Sequence, residues 1–168
     1  MKNLLILAFL FLSFSISAQD MTVKQLGKIL KKETNITERK EGIWTVEYAE
    51  HLVMVVTDDK ANRMRIFSPI VAREDINDAA LEKMLEANFH SALDAKYSIW
   101  EGVVISVYTH PLQELSENQF TDALKQVVRL SQTFGTSFSS TEFIFGNEGE
   151  EDNINKARTN VKPGDKKS

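Results

Sequence analysis

The chain has 168 residues, 42% of them hydrophobic and 26% charged, and its 24 acidic against 20 basic side chains give a formal net charge of −4. That balance argues against a generic nucleic-acid binder, which carries a basic stripe. There is no cysteine, which excludes disulfides, thiol catalysis, cysteine-based metal sites and a lipid anchor built on a cleavage-site cysteine.

Lys2 followed by the unbroken apolar run Leu4 to Leu12 opens the chain, and Ser13 to Ala18 then turns small and polar ahead of Gln19. This is the three-part layout of a secretory signal peptide. The run is too short to cross a bilayer comfortably, since a spanning helix needs about 20 apolar residues. The reading is a signal peptide over 1–18 and an exported product, periplasmic or secreted, with no integral membrane segment after cleavage. A leader retained as an anchor is the alternative.

Thr22 opens the first helix, and Thr22-x-x-Gln25 has the spacing of a capping box. Val23, Leu26, Ile29 and Leu30 recur at helical spacing, while Lys28, Lys31, Lys32 and Glu33 lie off that stripe. From Gly42 the period becomes alternating. Trp44, Val46 and Tyr48 share one strand face, with Thr45 and Glu47 opposite. After a turn at Ala49-Glu50-His51, Leu52 to Val56 is continuously apolar, which predicts a central strand covered on both faces. Asp58-Asp59-Lys60 turns the chain again. On the returning strand Met64 and Ile66 face one way and Arg63, Arg65 and Phe67 the other. Pro69 is expected to end the ladder, because it has no N–H to donate.

A second helix follows, capped by Asp75 or Asn77, with Leu81, Met84, Leu85 and Asn88 on one stripe and Phe89 at its edge. Ala95 to Trp100 and Val103 to Tyr108 form a hairpin around Glu101-Gly102. Ser116-x-x-Gln119 caps a last helix whose apolar stripe runs from Phe120 to Phe134, and Gly135 ends it. Ser139 to Phe145 is either an additional short strand or a segment packed on the domain. The acidic and then basic polar stretch 147–168 has too little apolar surface to bury and reads as a disordered tail. The domain is therefore 19–146, a two-layer α+β fold of order α-β-β-β-α-β-β-α with a five-stranded antiparallel sheet.

Nothing in this order specifies chemistry. The histidines His51, His90 and His110 share no metal-ligand spacing. With seven glycines in all, the chain has no nucleophile elbow and no phosphate-cradling loop. Asp58-Asp59 lacks the partners of a calcium loop. The reading is no catalytic residue, no metal site and no cofactor. Asn88 stands out as an amide inside an apolar stripe, where it must be hydrogen-bonded. It is read as fixing the loop from His90 to Leu93 or as touching a ligand or second subunit. Arg63 and Arg65 either lie solvated on the sheet or clamp a carboxylate.

The order α-β-β-β-α-β-β-α resembles that of the type III secretion chaperones, the Tir chaperone among them, and of the related YbjN-like proteins. The stretches that carry the likeness are Trp44 to Val56, Asn62-Arg63-Met64-Arg65-Ile66, Leu85-Glu86-Ala87-Asn88-Phe89, the Ala95–Tyr108 hairpin and His110-Pro111-Leu112, within residues 21–145. The resemblance implies a non-enzymatic domain, often a homodimer, that binds other proteins through sheet and helix surfaces. By analogy with chaperones that hold an extended effector segment on hydrophobic patches, the partner-binding positions would be Trp44, Val46, Phe67, Tyr97 and Trp100. Those chaperones work in the cytoplasm, so the export leader is a departure. Two functions follow as expectations. One is an exported adaptor or chaperone-like module with a protein partner. The other is a cell-envelope protein that binds or hydrolyses a small ligand at Arg63, Arg65, Asn88 and His110.

Overall fold

A computed structural model describes residues 20–140. The expected leader, the polar tail and all but two residues of the Ser139–Phe145 segment lie outside the described residues. In chain order the elements are α1 (Val23–Glu33), β1 (Asn35–Lys40), β2 (Ile43–Tyr48), β3 (His51–Asp58), β4 (Arg63–Ala72), a 3₁₀ turn (Arg73–Asp75), α2 (Asp78–His90), β5 (Lys96–Trp100), β6 (Val103–His110) and α3 (Glu117–Gln132). The sheet has the order β1-β2-β3-β4-β6-β5, antiparallel throughout.

The sheet has six strands, not five. The additional one is Asn-Ile-Thr-Glu-Arg-Lys at 35–40, in which every residue is exposed. Neither of its faces is buried, so no apolar alternation marks it. It forms one edge, blunted by a register shift between Ile36 and Glu38 and by three consecutive charges. Pro69 does not end β4 either. The strand runs on to Ala72 through a shift between Pro69 and Val71, and a bulge is where a residue without an N–H is tolerated.

Local chemistry sets the remaining boundaries. Thr22 and Ser116 each complete a capping box, and Asn77 rather than Asp75 caps α2 through Ala80 N–H. The β2–β3 turn places Ala49 and Glu50 at φ 49° and 65°, and the β5–β6 turn places Glu101 and Gly102 at 49° and 78°. Paired left-handed residues match the twist of the flanking strands.

α1 and α3 lie on one face of the sheet and enclose the core. Leu26, Leu30, Phe120, Leu124 and Leu130 from the helices meet Trp44, Val46, Val53, Val55, Ile66 and Val104 from the strands, all buried. Trp44 presses so closely on α1 that a Cβ added at Gly27 would stand 3.3 Å from its ring. Polar side chains tie α3 to the sheet. The Ser106 hydroxyl donates to Val127 C=O at 2.8 Å and the Tyr97 hydroxyl to Leu130 C=O at 2.8 Å. Buried Gln126 accepts from the N–H groups of Asp94 (3.0 Å) and Ala95 (3.2 Å) and donates to Asp122 at 2.6 Å.

Candidate functional site

Side chains alternate between faces along a strand, so the register that buries Trp44, Val55 and Ile66 sends their neighbours to the opposite face. There, Met54 pairs with Phe67 and Phe67 with Val107 across three strands, with Ile105 one step along β6. Among the described residues no helix covers this side. Leu52 is 48% exposed and Trp100 46%, while Met54, Val56 and Val107 are half-buried. Trp100 sets its ring edge-on to Phe67 at 5.3 Å, which is how Phe67 falls to 8% exposure without an opposing layer. Exposed Arg63 and Arg65 flank the patch on the same face and form no ion pair among the described residues.

The apolar run Leu52 to Val56 is thus not a strand covered on both sides. Val53 and Val55 are fully buried under the helices, and Leu52, Met54 and Val56 line an open face. A sheet with one solvated face normally shows polar residues there, and a contiguous apolar patch in that position marks an interaction surface. A second apolar surface lies on α2, where Leu85 and Phe89, placed by the sequence pattern on or beside the buried stripe, are 64% and 66% exposed.

Of the five aromatic and aliphatic candidates, the structure separates two from three. Phe67 and Trp100 lie on the open face. Trp44, Val46 and Tyr97 are in the core, at 1%, 0% and 5% exposure, because the two helices cover the other side of the strands that carry them. Burial holds the Tyr97 phenol far above its ordinary range, and its hydroxyl is committed to α3. None of the three offers a surface to a partner.

The polar candidates do not converge. Arg63 and Arg65 project from the open face. His110 pairs with Met64 on the helix side, where its ring stacks on Tyr108 at 6.0 Å. Asn88 is spent on β5, accepting from Tyr97 N–H at 2.7 Å and donating to Tyr97 C=O at 3.2 Å. The expected contacts between Asn88 and the 90–93 loop are made instead by Lys96, whose ammonium donates to the carbonyls of Asn88, Ala92 and Leu93 at 2.6, 3.0 and 2.6 Å. Two shallow depressions among the described residues, of about 260 and 320 Å³, are lined by Met21, Gln25, Lys28, Ile29 and Glu117, and by α3 residues with Tyr48, Ala49 and Ser140. Neither contains any of these four. Among the described residues no three His, Cys, Asp or Glu side chains are grouped to hold a metal, and no helix is long and apolar enough to cross a membrane.

Leu52, Met54, Ile105 and Val107 were not singled out by sequence. A signal was present: Arg63, Arg65 and Phe67 share a face, so a face carrying two arginines is open, and antiparallel pairing places every second residue of β3 beside them.

A six-stranded antiparallel sheet with helices packed on one face and apolar residues on the other defines a two-layer α+β domain. The chain belongs to the Tir chaperone protein (CesT) family, whose profile matches residues 22–134. No curated protein matches it in sequence. Similar solved structures include the Yersinia pestis type III secretion chaperone SycH in complex with a stable fragment of YscM2, at TM-score 0.51 and 15% identity over 68% of this chain and 100% of that one. Another is the HopA1–SchA chaperone–effector complex, at 0.51 and 11% over 64% and 87%. A third is YbjN, a putative transcription regulator from E. coli, at 0.51 and 12% over 68% and 91%. At these identities the likeness is one of fold.

Proposed function

We propose that the protein is an exported, non-catalytic binding module of the chaperone or adaptor kind, which holds a segment of a partner protein on the open face of its sheet. The observation that carries this is the apolar patch around Phe67 and Trp100 opposite a fully packed core. Trp and Arg are the residue types that concentrate binding energy at protein interfaces. The patch with Arg63 and Arg65 beside it fits an extended apolar stretch bounded by acidic residues. Family membership, and the partner-bound state of SycH and SchA, support the reading. The compartment is inferred from the leader alone: the periplasm or the exterior. The module works as a homodimer, and the exposed Leu85 and Phe89 of α2 offer an apolar surface apart from the open face.

Affinity capture of the tagged, exported chain from cross-linked envelope extract tests this. A reproducible protein partner is expected, and Trp100→Glu, in a variant with unchanged thermal stability, weakens its capture at least about tenfold, since truncating an aromatic anchor costs about 2 kcal/mol or more. Capture that is unaffected by Trp100→Glu, or recovery of the chain alone, contradicts the reading.

A further inference from the structure

The described residues end at a fixed point. Phe138 takes a left-handed φ of 50°. Beyond it, Ser139 N–H donates to Thr133 Oγ1 at 3.0 Å and Ser140 N–H to Ser91 C=O at 3.3 Å, while the Ser140 hydroxyl accepts from Leu93 N–H at 2.7 Å. Both serines are buried. Ser140 is also one wall of the depression of about 320 Å³ between α3 and the β2–β3 turn, with Tyr48, Ala49, Lys125, Val128 and Arg129 around it. Lys125 and Arg129 are exposed and form no ion pair among the described residues. Like charges four residues apart destabilise a helix, so this wall favours an anion, while its lysine and arginine stems offer apolar surface.

The sequence that follows Ser140 has the matching chemistry. Thr-Glu-Phe-Ile-Phe at 141–145 is the last apolar run of the chain, and residues 141–152 include five acidic side chains and no basic one. In an extended stretch Phe143 and Phe145 fall on the same side. Five extended residues reach roughly 17 Å, so both rings are within range of a depression that opens at Ser140. A segment on so short a tether acts at a roughly millimolar effective concentration, which favours it over a free partner.

We propose that this depression is the docking site of the chain's own segment 141–152. Phe143 and Phe145 fill it, and the acidic residues around them neutralise Lys125 and Arg129. The outer side of α3 is thereby withdrawn from other partners. This stands independently of what binds on the open face of the sheet.

The chain has no cysteine, so a nitroxide is readily attached at a single site. One label goes on through Glu50→Cys, in the exposed β2–β3 turn beside the depression, and another through Lys60→Cys, at the opposite end of β3. In the full chain the first label is expected to attenuate the amide signals of residues 143–145, equally at every protein concentration, and the second to leave them unchanged. Phe143→Ser/Phe145→Ser is expected to abolish the attenuation. Lys125→Glu/Arg129→Glu, which alters only exposed side chains, and added salt are each expected to weaken it. Signals at 143–145 that ignore the Glu50 label overturn the proposal, as does attenuation that survives both sets of substitutions. Mixing labelled chain with unlabelled, isotope-enriched chain separates the occupants. Attenuation seen in that mixture would put the segment of a second copy in the depression and equally overturn the proposal.

Discussion

Trp44→Ala lowers the unfolding free energy by about 3–5 kcal/mol, the range for removing a large aromatic from a packed core, whereas Trp100→Ala costs about 1 kcal/mol, the worth of one aromatic pair. The contrast comes from which side of the sheet each ring faces. Trp44 is 1% exposed and wedged between α1 and the sheet, with its Nε1 unpartnered among the described residues, so its contribution is dispersion and apolar burial. Trp100 has one ring contact, to Phe67, and is 46% exposed. Chemical denaturation of the two variants decides. Comparable losses would mean that the open face is part of the folding core, and the division between core and binding surface would fail.

Gln126→Ala is the second large effect, about 1–3 kcal/mol, because it leaves the buried N–H of Ala95 without an acceptor and removes the part-buried bond from Asp94 N–H. Its amide also donates to Asp122 at 2.6 Å and to Asp94 at 3.4 Å. Gln126→Glu keeps the acceptor but sets a third carboxylate against those two. It is therefore expected to be as unstable as the alanine variant at neutral pH and to recover as the pH falls and the cluster takes up a proton. Thermal melts of both variants against pH test this. A Gln126→Glu protein as stable as wild type at pH 7 would show that the amide's donor side contributes nothing.

The helices and most strands were legible because their apolar residues repeat at periods that only one structure satisfies. The stripe from Phe120 to Leu130 and the alternation of Trp44, Val46 and Tyr48 are of this kind. β1 was illegible for the complementary reason: an edge strand that buries nothing leaves no pattern. Leu52 to Val56 misled because a continuous apolar run looks the same whether both faces are covered by the chain or only one is. Trp44 and Trp100 could not be told apart by residue type. Their difference lies in register against the helices, which depends on strand pairings far apart in sequence. Asn88 was marked as needing a partner, but the partner, the backbone of Tyr97, is supplied by tertiary placement of α2 beside β5.

On the function proposed above, a partner protein lies on the open face of the sheet. Site-specific photo-crosslinking checks this, with the reactive group placed in turn at Leu52 on that face and at Lys125 on the exposed side of α3, in the full chain expressed in cells. A crosslinked protein partner is expected from position 52 and none from position 125. A partner recovered from position 125 and not from position 52 would place binding on the helical layer and contradict it.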